Sequence, residues 1–475
     1  MKRLLSFVLV IALALSMLLA MTACSQNPPE TTKAPATTAP TTPATTVPTA
    51  TYPDMGGMKF ILGNWWGAAE YEPKEPETAW EQICLEYHDM IQAEMNFTFE
   101  EIGLQNMGTY SEVLINSILQ NDPVCSAFMG EHNYVTAMAS QGLLYDLSKL
   151  DAFDFENDPK WNKDSIEYYT INGAIYGARP SHIDPGDYLL WNKRLFQEAG
   201  LDPDLPYQLQ AEGKWDWEHF EELCEKLTKD IDNDGVTDIY GFGGNDGTIM
   251  NMGIYSNGAR FVDRDETGKL IDGTLNPAFE EGMNFIVSLL QKGYCHPFLD
   301  GETWDSLYTD FANGKIAMTV GNWQIQSYWM EMADDYGAVM YPAGPKGSNC
   351  TSMVPTAICI PSCLDEETAN KVATVINAWY DTNKLPEHDE LGVSFKDDFY
   401  WLFRDEKAVD ETVYKIMTGE DTRIMEYYYL VPDFDYWDYV VTPCKLTRTP
   451  AEIIEILRTV NDAAIRNANT LLGYN

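Results

Sequence analysis

Apolar and polar positions fall into two alternating patterns over the first part of the folded body. Met58 to Leu62 is a short apolar run, Phe97 to Ile102 alternates with a period of two, and Val124 to Met129 is a second apolar run. Each has the length and composition of a strand. Between them, Thr78 to Met95 places Ile83, Tyr87, Met90 and Ile91 on one helical face, and Tyr110 to Gln120 does the same with Val113, Leu114, Ser117 and Ile118. Tyr134 to Gln141 reads as a third helix. Strands alternating with helices predict an open, mostly parallel α/β sheet. Such sheets bind ligands outside the C-terminal ends of their strands. Asn64-Trp65-Trp66, Leu104-Gln105-Asn106 and Gly130-Glu131-His132 stand at those ends. Trp65, Trp66, Gln105, Glu131 and His132 are therefore the first candidate ligand-binding residues.

Upstream of this body the pattern changes. Residues 1–23 carry Lys2 and Arg3 and then an almost unbroken apolar run, the layout of a signal peptide. Met21-Thr22-Ala23-Cys24 resembles the bacterial lipobox, in which cleavage before the cysteine exposes it for lipid attachment. Residues 24–56 then form a Thr/Pro-rich tether with no apolar cluster able to seed a core. Pro-rich chain extends by ~3.1 Å per residue, so the tether spans tens of ångströms. The expectation is a lipid-anchored body on the extracellular face of a bacterial cell membrane.

Composition narrows the partners. The 475 residues include 31 Lys+Arg and 73 Asp+Glu, a formal net charge of -42. Phosphate backbones and anionic lipid surfaces are poor partners for such a chain. Attachment to a membrane then falls to the lipid on Cys24 alone. Hydrophobic residues at 45% are enough to fill cores, and the length suits two or three domains. Aromatic residues at 12% suit a polar ligand with flat apolar faces. The eight cysteines after Cys24 are scattered with no CxxC pair, which is neither a zinc ribbon nor a disulfide framework. No H-E-x-x-H or G-x-S-x-G occurs, and no carboxylate pair marks out a glycosidase site. The catalytic set is accordingly empty.

The middle of the chain is more specific. Asn172-Gly173-Ala174-Ile175-Tyr176-Gly177-Ala178-Arg179-Pro180 is followed by Leu190-Trp191-Asn192-Lys193-Arg194-Leu195-Phe196, Ala199-Gly200-Leu201-Asp202-Pro203 and Asp216-Trp217-Glu218-His219-Phe220. Later come Phe311-Ala312-Asn313-Gly314-Lys315-Ile316-Ala317-Met318 and Gly321-Asn322-Trp323. This ordered set, over roughly 58–385, resembles family 1 extracellular solute-binding proteins of ABC importers, the carbohydrate binders that include maltose-binding protein. Trp191 stands where that family commonly has Tyr, and Asp216 where it has Thr. The resemblance implies a two-lobe, periplasmic-binding-protein-like fold of the class II type with a ligand cleft between the lobes. It divides the body into 57–178 plus 312–360 and 179–311 plus 361–475. It places an aromatic that stacks on sugar at Trp323, and it implies a monomer that passes a carbohydrate to the transmembrane subunits of an ABC permease. A tethered glycoside hydrolase or lyase is the alternative, and a sensor or adhesin on the same fold a third.

Sugar recognition needs aromatic faces and planar hydrogen-bonding groups. Asp184, Asp187, Asn245, Asp246, Asn322 and Trp323 join the strand-end candidates on that ground. One further motif stands apart. Asp230-Ile231-Asp232-Asn233-Asp234-Gly235-Val236-Thr237-Asp238 has carboxylates at positions 1, 3, 5 and 9 and glycine at 6. That spacing suits a Ca²⁺ loop built from Asp230, Asp232, Asp234, the Val236 carbonyl and Asp238. The twelfth position is Gly241, so the bidentate glutamate of a full EF-hand is missing. An acidic turn held by its own backbone is the alternative. No cofactor is required on either reading.

Overall fold

The computed structural model describes residues 52–66, 76, 78–104, 107–130, 132–180, 186–298, 301, 303, 305–322, 328–329, 332–354, 356–381, 396–418 and 423–474. Cys24, Gln105, Glu131, Asp184 and Trp323, with the signal and the tether up to Thr51, lie outside the described residues.

The first sheet follows the sequence pattern. Strand β1 (Met58–Asn64) leads to helix α1 (Ala79–Met95), strand β2 (Phe97–Gly103), helix α2 (Met107–Leu119), strand β3 (Ala127–Gly130) and helix α3 (His132–Ser140). Thr78 and Glu81 form a capping box that starts α1, and Asn96, in the left-handed region at φ 53°, ends it. Trp80, Tyr87, Ile91 and Met95 are the buried stripe of α1, with Ile83 and Met90 at its margins. β1 pairs in parallel with both β2 and β3.

The second sheet is built from β4 (Tyr188–Asn192) and β5 (Tyr240–Gly243), followed by helices α4 (Asp246–Ser256) and α5 (Pro277–Gln291), then β6 (Ile316–Gly321) and β7 (Tyr336–Val339). Its strand order is β7-β4-β6-β5. β6 runs parallel to β5, and β4 runs against both β6 and β7. Every residue of β4, β6 and β7 is buried, which explains their continuous apolar sequence. Gly337 in β7 lies against the Trp191 ring, which a Cβ would meet at 2.3 Å. The matched motifs serve this packing. Asp216 caps the helix at 217–227 through the His219 amide, and Trp217 stacks on Phe285 at 4.1 Å.

The chain then crosses back. β8 (Thr351–Met353) is followed by β9 (Ala357–Cys359), which joins the first sheet antiparallel to β3, giving the order β9-β3-β1-β2. Helix α6 (Glu366–Trp379) packs beside α1, where the Tyr87 hydroxyl donates to the Ala378 carbonyl at 2.8 Å. β10 (Arg423–Met425) pairs with β8, and α7 (Pro450–Leu471) closes the chain.

These pairings move the lobe boundaries. The sequence reading assigns 312–360 to the first lobe, but β6 and β7 belong to the second sheet, and among the described residues of that span only β9 joins the first. The same reading assigns 361–475 to the second lobe, yet α6 shares a core with Trp80, Tyr87, Ile91 and Phe97. The physical reason is that Ile316 to Gly321 is buried on both faces with a partner on each edge, the environment of a central strand. The return crossing therefore comes later, at 351–358. There the outgoing and returning segments pair, Ala178 with Ile358 and Asp187 with Ser352.

Candidate functional site

The strand directions gather several candidates at one edge. β5, β6 and β7 point the same way, so Asn245, Asn322 and Tyr341 follow their C-terminal ends. β4 runs in the opposite direction, so Asp187, just before it, belongs to the same edge. Asn322 Nδ2 donates to Asp187 Oδ1 at 2.8 Å, joining two residues far apart in sequence. Burial pushes the Asp187 carboxyl up to about 6, against the Asn322 hydrogen bond that lowers it. Asn245 caps α4, its Oδ1 accepting from the Gly247 amide at 3.0 Å. Asp246 occupies the first turn, its carboxyl raised by burial. Tyr308, also buried here, has its hydroxyl raised by burial and then by the Asp187 and Asp246 carboxylates.

The first sheet presents a second group at the matching ends of its strands. Asn64, fully buried, donates through Nδ2 to Glu101, whose carboxyl burial raises. Trp65 and Trp66 follow, with ring centroids 5.8 Å apart and planes at 82°. Trp65 is half-buried, and its indole N–H has no hydrogen-bond partner among the described residues. Trp66 is half exposed. Adjacent tryptophans thus divide between packing and surface. His132 heads α3, but its side chain lies outside the described residues.

Sequence reasoning missed the residue that organises the centre. Glu426 follows β10 and is only 6% exposed. Asn251 Nδ2 donates to its carboxylate at 3.0 Å, and the Tyr436 hydroxyl donates to Asn251 Oδ1 at 3.1 Å. Ser352 and Tyr428 also hydrogen-bond it. Burial first, and then the nearby Asp187 carboxylate, push the Glu426 carboxyl up to about 7. Ser352 links the two acids: its carbonyl accepts from the Asp187 amide at 3.1 Å, and its hydroxyl lies 3.1 Å from that of Tyr341. One signal was available. Glu426 is the lone charged side chain in Ile424 to Leu430, and a carboxylate in an aromatic run is a buried polar group with a reason.

The acidic loop is a separate place. One carboxylate oxygen each from Asp230, Asp232 and Asp238 lies within 4.8 Å of the others. The Asp234 carboxylate instead accepts from the Val236 amide at 2.8 Å. Asp230 accepts from the Gly235 amide at 2.9 Å, and Asp238 from that of Ile231 at 2.7 Å. Asn233 and Gly235 take positive φ, 61° and 90°, to turn the chain. The carboxylates are thus shared between the loop's own amides and a common point that a hard cation fits.

Residues 86–385 match the family of bacterial extracellular solute-binding proteins. The chain belongs to that family. No curated protein sequence matches this solute-binding protein. Solved structures do, at identities that establish a shared fold. An ABC substrate-binding protein of Listeria monocytogenes in complex with cycloalternan aligns with a TM-score of 0.56 and 15% identity, covering 88% of this chain and 100% of its own. The cyclic α-maltosyl-1,6-maltose binding protein of Arthrobacter globiformis gives 0.60 and 13%, covering 87% and 100%. A Mycobacterium tuberculosis protein in complex with glycerophosphocholine gives 0.53 and 16%, covering 88% and 98%. The mixed α/β architecture of this solute-binding protein, with its two principal sheets, is that of periplasmic solute-binding structures. In the described residues no helix is long and apolar enough to cross a membrane.

Proposed function

We propose that the protein captures a carbohydrate between its two sheets and delivers it to an ABC permease, with no chemistry of its own. The observation that carries this reading is the convergence of Asp187, Asn322 and Glu426 beside the crossing strands. These are planar acceptors and donors of the kind that hydroxyl groups need, and they stand where chain movement would open and close a site. The cycloalternan complex and the cyclic α-maltosyl-1,6-maltose binding protein of the same fold support the ligand class. Cys24, lipidated after signal cleavage, would hold the body outside the membrane on its almost uncharged tether. The Asp230–Asp238 loop would hold Ca²⁺ as a structural ion rather than as part of the solute site.

The test is calorimetry of the mature chain against maltotetraose, laminaribiose, tagatose and cyclic glucans, with chromatography of each mixture afterwards. Saturable binding to at least one saccharide, which is recovered intact, is expected. Cleavage by the pure protein would turn the reading towards a tethered carbohydrate-active enzyme. A panel without binding would remove carbohydrate as the ligand class.

A further inference from the structure

Asp187 and Glu426 are supplied by segments far apart in the chain, and they meet over Ser352 with no ion-pair partner among the described residues. Neither carboxylate forms an ion pair with a Lys, Arg or His among the described residues. Their partners are neutral: the Asn322 and Asn251 amides and the Ser352 and Tyr428 hydroxyls. Elsewhere in the described residues carboxylates have lysine or arginine beside them, as Lys193 stands beside Asp204 and Asp405.

A second observation points the same way. Tyr255 is 2% exposed, its hydroxyl has no hydrogen-bond partner among the described residues, and Glu426 is the charge that acts on it most. A buried hydroxyl without a partner destabilises the fold unless something else completes it. The rings around the pair are aromatic as well. Tyr428 and Tyr436 stack at 4.4 Å, and Tyr341 is fully buried beside Ser352.

Three kinds of solute meet this arrangement differently. An anionic sugar would add a third negative charge to a poorly hydrated pair, where like charges repel far more strongly than in water. A neutral sugar would donate hydroxyl hydrogens but leave the charge in place. A protonated amine supplies donors and neutralises charge together, and tyrosine faces favour it further. We infer that the solute carries a protonated amino group seated between Asp187 and Glu426, as in hexosamine oligosaccharides, and that uronates and sugar phosphates are rejected. This rests on the carbohydrate reading above and narrows it.

The test is calorimetry at pH 7.5 on the mature chain with three matched sets: glucosamine and its β-1,4 oligomers, glucose and cello-oligosaccharides, and glucuronate with oligogalacturonate. The glucosamine set should bind at least about ten-fold tighter than the glucose set, with no uronate binding. Glu426→Gln should reduce that advantage at least about ten-fold while the melting curve shows a folded protein. Asp187→Asn should act in the same direction and serves as the second variant if the first does not fold. Equal or tighter binding of the neutral set, preferred binding of a uronate, or an advantage that survives both substitutions would overturn the inference. So would silence from all three sets. In that case, binding of any saccharide in the earlier panel would leave the carbohydrate reading standing, and silence there too would end both.

Discussion

At the scale of single residues, the centre of the molecule is a problem in proton binding. The Asp187 and Glu426 carboxyls sit at about 6 and about 7, above their ordinary 3.8 and 4.5. The folded chain therefore binds more protons than the unfolded chain between about pH 4 and pH 7, and stability contributed by these groups falls as pH rises through that window. Glu426→Gln removes one share of the penalty. Its stability relative to the parent chain should improve between pH 5 and pH 8 by on the order of 1–3 kcal/mol in urea titrations. A difference that does not change with pH would show that Glu426 does not titrate there. Asp187 and Asn322 were candidates from the sequence because the crossover and the Gly321-Asn322-Trp323 motif are local features. Glu426 was not, because Asn251 and Ser352, which help to enclose it, come from stretches far away in the chain.

At the scale of elements, periodicity located strands and helices well and their partners poorly. β1, α1, β2 and α2 stand within a few residues of their expected bounds, since the apolar stripe that packs each element is written within it. The start of β3 shifts from Val124 to Ala127, Val124 itself being exposed. Ile316 to Gly321 is a strand, but nothing in its own sequence says whether β4 or β3 lies beside it. Gly337 shows what such a partner demands. With Trp191 where the resembling family has Tyr, the facing strand leaves no room for a Cβ. Gly337→Ala should destabilise the protein by about 1–3 kcal/mol in chemical denaturation, through overpacking rather than backbone strain. A cost near zero would mean that the indole moves freely out of the way.

At the scale of the molecule, the charge of -42 leaves attachment and ion binding as separate questions. Cys24→Ser should release the protein from the membrane fraction of a lipidating bacterial host into the medium or the soluble fraction; retention would place the anchor elsewhere. Calcium added after chelator treatment should raise the melting temperature by several degrees, and Asp230→Asn should abolish the rise. A melt indifferent to Ca²⁺ would leave the loop as an acidic turn. The two-sheet plan itself was legible through the ordered motifs, but the late return of the chain was not. That return has a kinetic meaning. β3 waits for β9, and the hydroxyl of Tyr87 finds its carbonyl 291 positions away. Contacts that distant make folding slow. During synthesis the first sheet therefore stays without its β9 edge until every strand of the second sheet has been made.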